Sequence, residues 1–223
     1  MDTNSKKISN LFNSWAGTQR GELMAKGHDE LVLNIYNDWN FESEDLLLDL
    51  GCGNGRALKI AHQIGVKNLS GLDLSENMLL EAKKNLPNAG FKNGTMENIP
   101  WNDNSFSHII TIEAIYYISD LKKAFSEIAR ILRPDGKIAI AIDFYQENKG
   151  SHIWQECLPF EVQLLSSNQW LELINQAGIK GVNASRIYRK DFITEENFEP
   201  SSFFPSYDLY CQYQKAGALK LSN

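Results

Sequence analysis

Cysteine is scarce in this chain of 223 residues, which has three: Cys52, Cys157 and Cys211. They are far apart, odd in number and never spaced Cys-x-x-Cys, so neither a disulfide framework nor a zinc site is expected. No metal is expected. No apolar run reaches the roughly 18 residues of a membrane-spanning helix, so no membrane role is expected. Met1 to Asn10 are polar and lack the apolar stretch of a signal peptide, so a cytoplasmic setting is the expectation. A basic surplus is missing too. Lys and Arg number 22 against 28 Asp and Glu, a formal net charge of −6. That disfavours nucleic acid as a partner, because a bulk nucleic-acid binder needs a basic face. Internal repeats, low-complexity tracts and linkers are absent, so residues 1–223 are read as one domain.

What is present is organised around Leu46-Leu47-Leu48-Asp49-Leu50-Gly51-Cys52-Gly53-Asn54-Gly55. A short apolar run ending at glycines predicts a buried parallel strand. Glycines carry no Cβ, so the backbone can turn tightly there and approach a ligand. Ala57, Leu58, Ile60, Ala61 and Ile64 then share one side of a helix over about 54–65. Strand, Gly-rich turn and helix together form the entrance to a nucleotide-type site.

Two helical stretches come first, 1–16 with Ile8, Leu11, Phe12 and Trp15, and 21–39 with Leu31, Ile35 and Trp39. They precede the first strand and are placed as a cap over the cofactor cleft. After residue 46, strand and helix signals alternate. Strands are predicted over 46–50, 68–73, 91–94, 106–112, 137–144, 180–188 and 217–222. Helices are predicted over 54–65, 76–86, 121–132, 167–177 and 206–215. Ser75 caps the second of these and Pro87 stops it. Pro134-Asp135-Gly136 predicts a tight turn before the fifth strand. Segments 145–165 and 191–216 are placed on the substrate side. The alternation implies an α/β doubly wound, mostly parallel seven-stranded sheet with helices on both faces.

The glycine spacing narrows the cofactor. A dinucleotide fingerprint wants Gly-x-Gly-x-x-Gly, but the sixth position here is Arg56 and the third glycine comes early. Asp49 would repel a pyrophosphate and suits a cationic ligand. Asp73, ending the second strand, suits a ribose diol.

Asp49-Leu50-Gly51-Cys52-Gly53-Asn54-Gly55 resembles the glycine motif of class I S-adenosylmethionine-dependent methyltransferases. Gly71-Leu72-Asp73-Leu74-Ser75 with Met78 resembles their ribose motif. Asn98-Ile99-Pro100-Trp101, Asn104-Ser105-Phe106 and Leu132-Arg133-Pro134-Asp135-Gly136-Lys137 are similar to further family segments, over about residues 40–145. The branch resembled is the small-molecule, quinone-type one, with a Rossmann-like methyltransferase fold.

The resemblance implies roles. Gly51 and Gly53 approach the methionine part of S-adenosylmethionine, and Asp49 holds its ammonium. Asp73 binds the ribose, Leu74 and Met78 pack on the adenine, and Met96 contacts its edge. Thr95 stands where the family usually has an acid, and Glu97 is the alternative partner for the adenine amine. Cys52 lies inside the glycine turn, Ile112 ends the fourth strand, and Trp15 is placed near the methionine end. S-adenosylhomocysteine is the implied product. Glu113, Tyr116 and Tyr117 follow the fourth strand, where the family borders the methyl and the substrate.

A base is needed only if the methyl acceptor must lose a proton. His152 and His28 are further candidates, and Asp143 with the aromatics after it could frame a small ring or amine. The reading is methyl transfer to an O, N or C nucleophile of a small molecule, by a monomer or homodimer. A protein or peptide methyltransferase and a non-catalytic S-adenosylmethionine binder remain open beside it.

Overall fold

The computed structural model describes residues 2–190 and 192–223; Met1 of the predicted first helix and Asp191 of the predicted 191–216 segment lie outside them. Three helices lead in: α1 (Thr3–Trp15), α2 (Gln19–Lys26) and α3 (Asp29–Asp38). Then come β1 (Leu46–Leu50), α4 (Arg56–Gln63), β2 (Asn68–Asp73), α5 (Glu76–Asn85), β3 (Gly90–Asn93) and β4 (Phe106–Ile112). They are followed by α6 (Leu121–Ile131), β5 (Leu132–Ile142), the single turn α7 (Trp154–Cys157), α8 (Ser167–Gln176), β6 (Asn183–Ile187), α9 (Tyr207–Ala216) and β7 (Ala218–Ser222). Among the described residues no helix is long and apolar enough to cross a membrane.

The strands form one seven-stranded sheet in the order β3-β2-β1-β4-β5-β7-β6. Every neighbour pair from β3 through β5 is parallel, and β7 runs antiparallel to both β5 and β6. The two-residue alternation of a strand separates the faces. Leu48, Leu50, Ile138, Ile140 and Ile142 are buried with Phe125, Ile128 and Trp170 of α6 and α8. Leu47, Ile110, Ala139 and Ala141 are buried on the other face with α3 and α4. The order reverses at β1, which has β2 on one side and β4 on the other. In such sheets the crevice beyond the carboxyl ends at the reversal is where ligands bind.

Two sequence expectations are corrected. The helix predicted over 21–39 is two helices, α2 and α3, broken at Gly27 and His28. Glycine weakens the helix there, and the fresh start has Asp29 and Glu30 in its first turn, where acids favour the helix dipole. Asp29 is also held by Arg56 of α4 at 2.8 Å. Second, the turn at Pro134-Asp135-Gly136 lies within β5 and not ahead of it: Phe106 pairs Leu132 and His108 pairs Lys137, so one residue of β4 faces four of β5, which loop out and bring Gly136 back against Leu132 and Arg133.

Candidate active site

The glycine turn is built on backbone that side chains rarely adopt. Gly51 and Gly53 have φ of +77° and +51°. A Cβ on Gly51 would stand 2.4 Å from that of Ala114, whereas one on Gly53 would meet nothing within 4 Å. The first glycine lets the β1 and β4 ends close together; the second leaves space where a ligand can reach the backbone. The turn is tied to β2: the Gly51 and Cys52 N–H groups donate to Leu72 O, and the Gly53 N–H donates to Asp73 Oδ2 at 2.8 Å.

A cavity of about 900 Å³ opens over this turn. Its lining brings together Trp15, Asp49, Gly51, Cys52, Gly53, Asp73, Leu74, Met78, Thr95, Met96, Glu97, Ile112, Glu113, Tyr116 and Tyr117. α1 and α2 form one wall. Ser9 Oγ of α1 donates to Leu74 O at 3.2 Å, and Asn13 Oδ1 accepts from Ser75 Oγ at 2.7 Å and from Asn77 N at 3.1 Å. Trp154, Phe203 and Phe204 of the later segments also line it.

Asp49 is buried, and among the described residues no N–H or O–H donates to its carboxyl. Burial, and then the neighbouring Asp73 charge, push its pKa up to about 8. A buried carboxyl with no partner lacks a positive charge, and the cation of the implied cofactor meets that need. Asp73 is raised by burial, against the N–H groups of Ser75, Gly53 and Leu74 that favour its ionised form. Its Oδ1 and Oδ2 each accept one backbone N–H and keep lone pairs for a ribose diol. The residues present therefore fit S-adenosylmethionine. Cys52 is a packed filler: a Cβ on Gly71 would lie 2.7 Å from its sulfur, and burial holds its thiol well above the usual range.

The Asp49 geometry carries a pH prediction. A cation lowers the Asp49 pKa, so below pH 8 binding expels a proton. Affinity for S-adenosylmethionine is expected to climb by up to about tenfold per pH unit from 6 towards 8 and then level. Calorimetry at several pH values, in buffers of different ionisation heat, counts the proton; a flat affinity from pH 6 to 8 removes Asp49 from the cation's side.

At the end of β4, Glu113 is the second positive-φ residue that is not glycine, at +53°. Left-handed backbone at a buried acid costs energy and marks a site. Glu113 Oε1 accepts the Asp143 N–H, and Oε2 accepts the Tyr116 hydroxyl at 2.9 Å. The Tyr116 and Tyr117 hydroxyls are 3.3 Å apart. A hydroxyl has one proton to give, so when Tyr116 donates to Glu113, Tyr117 is left to donate to Tyr116. Burial first, then the Asp143 charge, hold Glu113 well above the usual carboxylate range.

The remaining candidates separate. Asp143 frames no ring or amine: Arg189 grips it with both nitrogens, at 2.9 and 2.5 Å, and Tyr213 donates to it at 2.7 Å. His152 is not in the cavity lining; its Nε2 sits 3.1 Å from Gln146 O, on the outer side of the 145–165 segment. His28 does line the cavity, and burial lowers its pKa to about 4, so it is an uncharged imidazole. Arg20 and Arg189 were missed by sequence reasoning, since neither lies in a motif. Trp154, Phe203 and Phe204 share the signal of aromatics clustered in irregular segments.

Residues 48–140 match the family described as Methyltransferase domain. The 2-phytyl-1,4-naphtoquinone methyltransferase of Nostoc sp. is 32% identical over 155 residues, which are 65% of this chain and 67% of that one. The ubiquinone/menaquinone biosynthesis C-methyltransferase UbiE of Campylobacter jejuni is 27% identical over 164 residues, 66% of this chain and 68% of that one. The protein solved in complex with the Haloferax volcanii Trm112 methyltransferase activator aligns with a TM-score of 0.85 and 28% identity, covering 95% of this chain and 96% of that one. These relatives show the family, and the chain belongs to the S-adenosylmethionine-dependent methyltransferases.

Proposed function

We propose that this methyltransferase acts on a small molecule, at an O, N or C nucleophile, in a cavity closed by its own N-terminal helices. The observation that carries the proposal is that one cavity holds both the Asp49–Asp73 end and the Tyr117–Tyr116–Glu113 chain of hydroxyls and carboxylate. α1, α2, Trp154, Phe203 and Phe204 all line this pocket, which favours a small acceptor over the peptide an open groove would take. The relatives named for quinone methylation support an acceptor with an apolar body. Residues 1–223 act as one domain, and three cysteines left as thiols suit a reducing cytoplasm.

When bound, S-adenosylmethionine supplies a methyl group already activated on a sulfonium. Asp49 neutralises its cationic end, Asp73 accepts from the ribose, and Leu74 and Met78 pack against the base. Glu97 or Thr95 meets the adenine amine. The chain's remaining task is alignment, and removal of a proton where the nucleophile bears one. That proton passes to the Tyr117 oxygen, the Tyr117 proton passes to Tyr116, and the Tyr116 proton passes to Glu113 Oε2. Each hydroxyl ends with one proton, and Glu113 ends neutral, the form its burial favours.

Asp73→Ala tests the cofactor end. S-adenosylhomocysteine affinity should fall by about 10–100-fold, the worth of one or two charge-assisted hydrogen bonds, with the fold intact by circular dichroism. Unchanged affinity would sink the ribose assignment. Transfer of labelled methyl to a small-molecule panel and a peptide panel, run side by side, tests the acceptor class; labelling confined to peptides reverses the proposal.

The Haloferax volcanii complex favours a second reading of assembly, in which the chain works with a small activator subunit instead of as a monomer or homodimer. Full turnover by the purified chain alone would retire it.

A further inference from the structure

Arg20 lies on α2 and lines the cavity. Its guanidinium carbon sits 4.3 Å from the centre of the Trp15 ring and 5.5 Å from that of Phe203. Trp15 ends α1 and Phe203 belongs to the C-terminal segment, so the guanidinium bridges the two covers of the cavity. Aromatic faces hold a cation without using any of its five N–H donors. Among the described residues none of those donors meets an acceptor, and no carboxylate comes within 4 Å. The other arginine in the lining, Arg56, is held by both oxygens of Asp29. The chain has an excess of acids, with 28 Asp and Glu, and offers none to Arg20. The acids that line the cavity are assigned elsewhere: Asp49, Asp73 and Glu97 to the cofactor end, and Glu113 to Tyr116.

Arg20 also shares a wall with the hydroxyl chain. Tyr117 stands edge-to-face on Phe12 at 5.6 Å, Phe12 on Trp15 at 5.3 Å, and Arg20 lies over Trp15. These ring contacts connect Tyr117 to Arg20 through Phe12 and Trp15 along one side of the cavity.

We propose that Arg20 binds an anionic group of the methyl acceptor. The acceptor is then a planar, largely apolar small molecule with its nucleophilic atom at one end and a carboxylate or phosphate at the other. This rests on the methyl-transfer reading and names the substrate class for the same cavity. The guanidinium fork is matched to such oxygens, and Arg20 is exposed, with its guanidinium over the Trp15 ring and its N–H donors open to a ligand.

The test is calorimetry on the full chain saturated with S-adenosylhomocysteine, with 6-hydroxy-2-naphthoate and the uncharged 6-hydroxy-2-naphthamide as probes. The naphthoate should bind at least about tenfold more tightly than the amide, the worth of a charge-assisted hydrogen bond. In Arg20→Gln that preference should vanish while S-adenosylhomocysteine affinity stays put. Equal binding of the two probes, binding of neither, or a preference that survives in Arg20→Gln overturns the proposal. So does a loss of S-adenosylhomocysteine affinity in Arg20→Gln, which would assign the guanidinium to the cofactor's own carboxylate. Failure of the unsubstituted chain to bind S-adenosylhomocysteine is a separate readout, and it would bring down the methyl-transfer reading itself.

Discussion

Glu113→Gln is expected to lower turnover by about 10²–10⁴-fold, the range of a lost general base, with little change in S-adenosylhomocysteine affinity. The amide oxygen can still accept the Asp143 N–H, which keeps the end of β4 in place. What is lost is the ability to take up a proton at Oε2. The pH dependence sharpens the test. Burial and the Asp143 charge raise the Glu113 pKa, so its ionised, proton-accepting form grows as pH rises, and turnover should rise along a limb displaced above the ordinary carboxylate range. That limb should be missing in Glu113→Gln. Equal losses in turnover and cofactor affinity would move Glu113 from the reaction centre to the cofactor site. A nucleophile without a removable proton would show as an unchanged rate.

Asp143→Asn should destabilise the fold by about 3–5 kcal/mol, the cost of removing one partner of a buried pair. Arg189 keeps only 12% of its side-chain surface exposed and Asp143 only 3%, so the guanidinium would be left buried without its counter-charge. For a chain of this size that is a fall in Tm of roughly 6–20 °C, read by calorimetry or by the urea midpoint. A second consequence separates this effect from simple loosening. The Asp143 charge raises the Glu113 pKa and Arg189 lowers it. With Asp143 neutralised, the Glu113 limb of the pH profile should shift to lower pH. A limb that does not move would mean the two acids are not electrically coupled.

That Asp49, the glycine turn and Asp73 come together was legible in the sequence because these parts are contiguous. Asp49 to Gly55 and Gly71 to Met78 are unbroken runs at strand ends, and the parallel ladder puts Asp49 beside Gly71 without further information. The alternation of strands and helices was legible for the same reason: each element carries its own apolar period. The acceptor end is different. It is assembled from α1, α2, the end of β4 and two irregular segments, and the contacts that define it cross long stretches of chain. Asp143 and Arg189 are 46 residues apart, and nothing local to either marks the other. Asp143 therefore read as an open acid at a strand end when its charge is already taken. His152 read as a base because a histidine in an irregular segment says nothing of the direction it faces. The break at Gly27 was hidden as well, since the apolar period of Leu31, Ile35 and Trp39 runs on from a helix that has already ended.

The hydrogen bonds from α1 to Leu74, Ser75 and Asn77 bear on the timing of catalysis. In the proposed binding mode a nucleoside packs against Leu74 and Met78, and the bonds of Ser9 and Asn13 to Leu74, Ser75 and Asn77 hold α1 across that end of the cavity. Departure of the spent nucleoside and release of the first helix are then one event. Nucleoside release is then tied to the thirteen residues of the first helix, at a distance from the bond being made.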